Sequence, residues 1–114
     1  MKDDLYKALM GRMVLVRSDQ SGVWAGKLEG VNRPSDSDKG VDVVLNNAAK
    51  IHWWEGAAAT SGLAVRGPGA GSRIAPDVEV AAVYGCCEVL LMTSQATDVI
   101  ASIERWEPSG QPKL

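Results

Sequence analysis

Apolar and polar residues alternate along much of the chain, with the period of a half-buried β-strand. The alternation begins in "MVLVRS" (13–18) and returns in "GVWAGKLEGV" (22–31). The intervening "DQSG" has the composition of a tight turn. We therefore expect these two segments to form an antiparallel hairpin.

Two longer segments carry the same strand signal. "VDVVLNNAAKIHWW" (41–54) follows a polar loop, "NRPSDSDKG" (32–40), and we expect a break in it at Asn46–Asn47. "VEVAAVYGCCEVLLMT" (78–93) is the most apolar run, and Gly85 predicts a bulge or bend, either within one strand or between two. With the hairpin, these segments predict about four to six strands.

Three further segments have helical patterns. "KDDLYKALMG" (2–11) has an apolar stripe and begins with helix-capping Asp residues. "GAAATSGLAV" (56–65) is rich in Ala but contains an internal Gly, so we expect only a short helix or helical turn. "SQATDVIASIERW" (94–106) is amphipathic, with Thr93 or Ser94 as its cap. Its expected apolar face consists of Val99, Ile100, Ile103 and Trp106.

Together these elements predict an α+β fold: a mostly antiparallel β-sheet or small barrel-like sheet, with a short central helix and a C-terminal amphipathic helix. We expect residues 1–12 to be an N-terminal helical extension, residues 13–107 a single β-rich domain and residues 108–114 a flexible tail. "RGPGAGSR" (66–73) is expected to be a loop, whose bare backbone amides leave a phosphate contact open.

Charge and hydropathy narrow the classes of function. The formal net charge of −2 and the pI near 5.3 argue against non-specific binding to nucleic acids or anionic membranes, which requires a basic surface. No apolar run reaches transmembrane length, and "MKDDLYKALMGRM" lacks the continuous apolar region of a signal peptide. We therefore expect a cytoplasmic protein without a membrane partner.

Residue types that carry catalysis or bind metals are few. The single histidine, His52, is accompanied by no nucleophile elbow, so we expect a rim residue packed on an aromatic neighbour and no enzymatic activity. Cys86 and Cys87 are expected to point to opposite faces of a strand as buried free thiols. The acidic loop 36–42 lacks the spacing and distal Glu of a calcium loop, so we expect no metal and no cofactor.

The strongest signal is aromatic. The chain has four Trp and no Phe, and Trp53 and Trp54 are neighbours on a predicted strand. Such neighbours face opposite ways, so one enters the core and the other meets solvent, another subunit or a ligand. An exposed indole offers a flat face for stacking a base and a cation–π partner for Arg. Alternatively, all four Trp are core and interface anchors.

Three blocks of sequence follow one another: "VLVRSDQSGVWAGKL" (14–28), "VVLNNAAKIHWWEGAAATSGLAVRG" (43–67) and "TSQATDVIASI" (93–103). Their order and spacing resemble those of a family of small proteins of unknown function that bacteriophages and prophages encode. The chain departs from the family pattern at two places: a paired Arg is Ala49–Lys50 here, and the first of three aromatic residues is His52. The resemblance implies a phage context, and thus the host cytoplasm, but no particular activity.

We therefore expect a small non-enzymatic phage accessory protein, oligomeric, that binds a nucleotide-like small ligand in counter-defence or host takeover. Its expected partners are further copies of itself, a nucleotide-derived small molecule and a host protein. The alternative is an oligomeric protein–protein interaction or structural module with no small ligand. The expected ligand-binding residues are Arg17, Trp24, Lys50, His52, Trp53, Trp54, Arg66 and Arg73.

Overall fold

The strands and helices follow the order that the sequence pattern predicts. The structure is a computed structural model that describes residues 4–34 and 40–107 of the 114-residue chain. It has an α+β fold with a five-stranded antiparallel sheet, a central helix and a C-terminal helix, which confirms the predicted fold class. The elements are α1 (Asp4–Lys7), β1 (Met13–Ser18), β2 (Gly22–Asn32), β3 (Val41–Trp53), α2 (Thr60–Arg66), β4 (Arg73–Ile74), β5 (Val78–Leu91) and α3 (Ser94–Ser102).

The four long strands close into a ring of antiparallel pairs. β1 pairs with β2, β2 with β3, β3 with β5, and β5 returns to β1, while the short β4 pairs with the end of β3. β5 has two successive neighbours because Gly85, at φ 67°, bends it. Residues 78–86 lie along β3 and residues 86–91 lie along β1. The predicted bend at Gly85 is thereby confirmed within one strand.

The Asn pair in β3 forms an irregularity in the pairing instead of the expected break. β3 is continuous, but its register with β2 shifts where Ala25 pairs with Ala49 and Lys27 pairs with Asn46. Asn47 accommodates the shift at φ 51°, a left-handed conformation that Asn tolerates better than most residues. The strand therefore bends without losing β2 as its partner.

Both faces of the sheet pack against apolar clusters along β1, whereas β5 leaves Val80 and Tyr84 exposed. On β1, Val14 and Val16 belong to a cluster within the ring of strands, and Leu15 belongs to the cluster under α2 and α3. Alternate residues of one strand thus supply two cores. The inner cluster is Val14, Val16, Leu28, Val41, Val43, Leu45, Ala48, Val83 and Cys86; the helix-side cluster is Leu15, Val23, Ala25, Ala49, Ile51, Leu63, Ala64, Ile74, Met92, Ala96 and Ile100.

The predicted helix boundaries are wrong at several ends. α1 has only four residues, Asp4–Lys7, and part of the predicted 2–11 helix lies outside the described residues. α2 begins at Thr60, not at residue 56, because Gly56 has a positive φ of 81° and Ala59 is extended at φ −150° and ψ 171°. It extends through Arg66, and β4 contains Arg73, so both ends of the predicted 66–73 loop belong to regular elements.

α3 has the expected start and an earlier end. Thr93 Oγ1 accepts a hydrogen bond from the backbone N–H of Ala96 at 3.0 Å, which is the predicted N-cap. The helix ends at Ser102 instead of residue 106. Arg105 folds back and donates to the carbonyl oxygens of Ile100 and Ile103 at 2.8 and 2.9 Å, and Ile100 O also accepts the backbone N–H of Ile103.

Candidate functional site

A β-bulge between Ile51 and Trp53, at the end of β3, determines which of the two neighbouring Trp residues faces outward. Ile51 pairs with Ile74 and Trp53 pairs with Arg73, so β3 advances by two residues where β4 advances by one. Trp53 is 49% exposed. Trp54 lies beyond the strand, packs against the helix-side cluster and donates its indole N–H to Ala57 O at 3.2 Å. The outward residue of the pair is thus Trp53.

Four side chains come together on the surface beside this bulge. The Arg73 guanidinium carbon lies 5.9 Å from the ring centroid of Trp53 and 5.1 Å from that of Trp106. Trp106 in turn stacks on His52, with the ring centroids 5.3 Å apart and the planes inclined by 9°. We call His52, Trp53, Arg73 and Trp106 the aromatic–arginine surface. Both distances from Arg73 are within the range of cation–π attraction.

Backbone pairing fixes this arrangement. Arg73 is held opposite Trp53 by the β3–β4 ladder. Trp106 is held by its backbone N–H, which donates to Ile74 O at 2.7 Å. An ion pair between Arg105 and Asp77, at 2.8 Å, joins the segment after α3 to the segment after β4. The C-terminal segment is thereby brought to the end of β3.

Arg73 is not neutralised by a nearby acid. Within residues 4–34 and 40–107, ion pairs engage Arg17, Lys27 and Arg105, and no acidic side chain lies within pairing distance of Arg73. Its charge faces two indole rings and solvent. A guanidinium stacked on rings keeps its N–H edge available to a phosphate or carboxylate.

Arg17, by contrast, is already paired. Its Nε donates to Glu88 Oε1 at 3.0 Å, and Asp19 lies 3.5 Å from the same guanidinium. Glu88 also accepts a 2.6 Å hydrogen bond from Thr60 Oγ1. The hydrogen bond from Thr60, followed by that from Arg17, holds the pKa of Glu88 below its ordinary value. The hydrogen bond to Glu88 raises the pKa of Arg17. This cluster anchors the start of α2 to β5.

The other predicted ligand-binding residues lie apart from the aromatic–arginine surface. Trp24 and Lys50 are cross-strand partners on β2 and β3. Trp24 packs on the inner cluster and donates its indole N–H to Ser21 O at 3.0 Å. Arg66 is the exposed last residue of α2. Of the eight predicted residues, the structure therefore brings together His52, Trp53 and Arg73.

Trp106 belongs to the aromatic–arginine surface but is not among the eight ligand-binding residues predicted from the sequence. The predicted helix 94–106 places it on the apolar face of that helix. Because α3 ends at Ser102, Trp106 instead lies in an extended segment against β4. Its position depends on the hydrogen bond from its backbone N–H to Ile74 O and on the Arg105–Asp77 ion pair, which are tertiary contacts without a pattern in the local sequence.

The Gly-rich loop is occupied by a carboxylate from its own chain. The backbone N–H of Gly71 donates to Glu55 Oε1 at 3.0 Å, and that of Gly69 donates to Glu55 O at 2.7 Å. Ser72 Oγ accepts from the Glu55 backbone N–H at 3.0 Å. An anion approaching the Gly71 amide would therefore have to displace Glu55, which weighs against the phosphate contact that the loop composition left open.

The two cysteines differ in exposure, which corrects the expectation that both are buried. They lie on opposite faces of β5 as free thiols. Desolvation raises the pKa of the buried Cys86 to about 11, with smaller contributions from Asp42 and Cys87. Cys87 is exposed, and its thiol donates to Arg17 O at 3.4 Å. His52 is engaged with Trp106, so neither thiol has an imidazole partner among the described residues.

Metal and membrane binding find no support in the described part of the chain. No group of three or more His, Cys, Asp or Glu is arranged there to hold a metal ion. Two of the acidic loop residues, Asp36 and Asp38, lie outside the described residues, and Asp42 accepts a hydrogen bond from the Gly85 backbone N–H at 2.9 Å. Across residues 4–34 and 40–107, no helix has the length and apolar character needed to cross a membrane.

Concave spaces occur on other parts of the molecule. A cleft of about 390 Å³ lies between the β1–β2 turn and the bend of β5, with Asp19, Asp42, Tyr84 and Cys87 among its lining residues. A second, of about 340 Å³, lies along β3 beside Val44 and Tyr84. Acidic side chains dominate the charge of the first cleft. The aromatic–arginine surface, in comparison, is an open face whose cation, Arg73, has no ion-pair partner among residues 4–34 and 40–107.

The fold and the surface together define a small barrel-like α+β protein with an exposed cluster of rings and one guanidinium. The chain belongs to the family described as a domain of unknown function, DUF6948, whose model matches residues 11–100. The matched segment contains His52, Trp53 and Arg73 and ends before Trp106. No curated protein and no solved structure gives a significant match to the chain.

Proposed function

We propose that this protein is a non-enzymatic binding protein whose aromatic–arginine surface holds a nucleotide-like small ligand. The observation that carries the proposal is the position of Arg73, against both Trp53 and Trp106 and without a carboxylate partner in the described chain. A base would stack on the exposed indole of Trp53, and a phosphate would accept hydrogen bonds from the Arg73 guanidinium.

Stacking and phosphate binding together predict weak binding, with a dissociation constant between roughly 10 mM and about 40 μM. Stacking a base on an aromatic side chain contributes about 1–3 kcal/mol. A charge-assisted hydrogen bond to a phosphate adds about 1.5–3 kcal/mol. Because the surface is open, it suits a ligand that presents one flat face and one anionic group more than a ligand that needs full enclosure.

A catalytic role is not part of the proposal. His52 stacks face to face on Trp106, an arrangement that orients its ring for packing. Within the described chain, the hydrogen bonds of Ser, Thr and Cys side chains go to partners other than His52. The surface thus has the groups for stacking and anion binding, but not the paired nucleophile and base of covalent catalysis.

The resemblance to phage-encoded proteins motivates the biological setting. We propose that the protein acts in the cytoplasm of an infected host cell, where it sequesters nucleotide-derived immune signals. Such signals combine bases with phosphates, the two chemical features that Trp53 and Arg73 complement. A host protein remains a proposed further partner.

A thermal-shift screen followed by calorimetric titration tests the proposal. The panel contains mononucleotides, cyclic oligonucleotides and ADP-ribose derivatives. We expect at least one member to raise the melting temperature of the wild type, and Trp53→Ala to abolish that shift. Val65→Ala is the matched control, because Val65 is also exposed and lies on α2. A panel that stabilises no sample, or one that stabilises Trp53→Ala equally, contradicts the proposal.

A second candidate is a protein–protein interaction module, favoured by the openness of the same surface. Trp and Arg are enriched at the energetic centres of protein interfaces, and Trp53 is half exposed beside Arg73. Light scattering on Trp53→Ala separates the two candidates. A folded variant that dissociates from a partner or from its own copies supports the module, whereas one that keeps its assembly state but loses a ligand supports the binding protein.

A further inference from the structure

One edge of β5 has no strand beside it in the described chain. Among the described residues, only β3 pairs with residues 78–83, because pairing with β1 begins at Cys86. The β1 strand ends at Ser18, opposite Cys86, and the chain then turns towards β2. The side of residues 78–83 that faces away from β3 is therefore an unpaired strand edge.

Flanking hydrogen bonds show which backbone groups point to that edge. Tyr84 O accepts from Ser18 Oγ at 2.7 Å, on the β1 side, and Gly85 N donates to Asp42 at 2.9 Å, on the β3 side. The N–H and C=O of one residue point to the same side of an antiparallel strand, and successive residues alternate. Val80 and Ala82 therefore direct their N–H and C=O groups to the unpaired edge.

The edge lacks the features that usually prevent strand addition. Natural edge strands carry charges, Pro, or bulges, or are covered by other segments. Between Val78 and Tyr84 the only charged residue is Glu79, and there is no Pro. Val80 is 57% exposed and Tyr84 is 64% exposed. The strand is thus largely apolar up to Gly85, and the backbone groups of Val80 and Ala82 have no strand partner on this side within residues 4–34 and 40–107.

We propose that this edge pairs with the same edge of a second copy of the chain, in an antiparallel two-fold arrangement centred on Ala81. A two-fold axis makes one sequence its own partner. Val80 of each copy then faces Ala82 of the other, which matches the residues whose backbone groups point outward. Glu79 faces Val83, so the two Glu79 side chains lie four residue spacings apart, about 13 Å.

This register explains why a second copy fits better than an unrelated strand. It keeps the only acidic residues of the edge apart, and the small side chains of Ala81 and Ala82 allow the strands to approach to the normal spacing of about 4.8 Å. The β3–β5 half of each sheet would continue into the partner. The edge pairs with residues 43–48 of β3, whereas the aromatic–arginine surface takes His52 and Trp53 from its C-terminal end, so this proposal does not depend on the proposed function.

Sedimentation equilibrium over a range of concentrations tests the proposal. We expect a monomer–dimer equilibrium for the wild type and, for Val80→Lys, a dissociation constant at least about tenfold higher. Val65→Lys is the matched control, since Val65 is 55% exposed but lies on α2, and it should dimerise like the wild type. Circular dichroism checks that both variants are folded. A wild type that stays monomeric to about 1 mM overturns the proposal, as does an unchanged Val80→Lys dimer.

Disulfide cross-linking tests the register separately. In the two-fold arrangement, Ala81 faces Ala81 of the other copy as a non-hydrogen-bonded pair, with Cβ atoms about 4.5–5.5 Å apart. A small approach of the two strands brings this separation into the disulfide range of about 3.5–4.5 Å. We expect Ala81→Cys, in a Cys87→Ser background, to form a covalent dimer under mild oxidation, seen by non-reducing gel electrophoresis. Val65→Cys, in the same background, should remain monomeric. A dimer in solution that Ala81→Cys does not trap contradicts the edge pairing.

Discussion

His52 and Trp106 stack with their ring centroids 5.3 Å apart and their planes inclined by 9°, although one belongs to β3 and the other follows α3. The stack extends the end of the sheet with a residue from the C-terminal segment. Arg73 lies against the same indole, 5.1 Å from its centroid. Trp106 thus connects the histidine to the cation, and its removal affects both.

Trp106→Ala is expected to lower both stability and affinity. The variant loses the stack on His52, worth about 0.5–1.5 kcal/mol beyond its buried area, and releases Arg73 from one of its two rings. Chemical denaturation measures the first effect and ligand titration the second. Glu104→Ala, an exposed change in the same segment, is the control. If the variant is less stable but binds the ligand as tightly as the wild type, Trp106 does not contribute to ligand binding.

Arg73→Gln is expected to discriminate between phosphorylated and unphosphorylated ligands. Loss of a charge-assisted hydrogen bond of about 1.5–3 kcal/mol weakens binding of a nucleotide by roughly tenfold or more. The corresponding nucleoside should bind both proteins alike, because stacking on Trp53 is retained. Titrations with adenosine monophosphate and adenosine measure the difference, with Arg66→Gln as the control on α2. An equal loss for both ligands would contradict phosphate binding by Arg73.

The Cys86 thiol is expected to make stability depend on pH in the alkaline range. Burial raises the pKa of Cys86 to about 11 in the folded protein, well above the ordinary value of a cysteine thiol. Its contribution to stability is therefore complete below pH 9 and is lost as pH rises towards 11, by roughly 2 kcal/mol. Urea unfolding at pH 8 and pH 10.5 measures the loss. Cys86→Ala should lose less stability over that interval; an equal loss would assign the effect to other groups.

Thr60→Val is expected to raise the pKa of Glu88 towards its ordinary value. The hydroxyl of Thr60 supplies the main hydrogen bond that keeps this pKa low. In the wild type, the lowered pKa contributes stability above the ordinary Glu range, and this is lost as pH falls through the folded-state pKa. NMR titration of the Glu88 side chain measures the change. Thr97→Val, which removes a hydroxyl bonded to Thr93 O within α3, should leave Glu88 unchanged.

Gly67→Ala is expected to destabilise the fold by about 2–4 kcal/mol. Gly67 ends α2 at φ 81°, and an added Cβ would lie 2.8 Å from Val99 Cβ on α3. Both backbone strain and overpacking therefore act at one position. Gly30→Ala is the control, since its nearest neighbour would be Val44 Cβ at 3.9 Å. Similar melting temperatures for the two variants would show that α2 and α3 can move apart at little cost.

The positions of the strands could be predicted closely because apolar and polar residues alternate along them. β1 occupies the predicted residues, and the ends of β2, β3 and β5 differ from the predicted ends by one or two residues. The ends of the helices could be predicted less closely from the sequence. At the start of α2, Thr60 bonds to Glu88 of β5, and beyond the end of α3, Arg105 pairs with Asp77. Both contacts are tertiary. The two-residue β4 is too short to carry a period.

The sequence could predict only some of the residues that form the candidate site. Strict alternation predicts that Trp53 and Trp54 separate, but it does not give the bulge that makes Trp53 the outward one. Arg73 and Trp106 join Trp53 only through the β3–β4 pairing and the contact of Trp106 N with Ile74 O. Arg17 was predicted to bind the ligand through its positive charge. In the structure Glu88 neutralises that charge, because the pairing of β1 with β5 places the two residues opposite each other.

The contacts of Glu55 have a consequence for binding thermodynamics. This residue follows Trp53 by two positions and is bonded to Gly69, Gly71 and Ser72, the last of which precedes Arg73. The indole and the guanidinium are therefore held at a fixed separation before any ligand arrives. A ligand meeting a preorganised surface loses little conformational entropy on the protein side. Association should accordingly be fast, with affinity differences among related ligands expressed mainly in their dissociation rates.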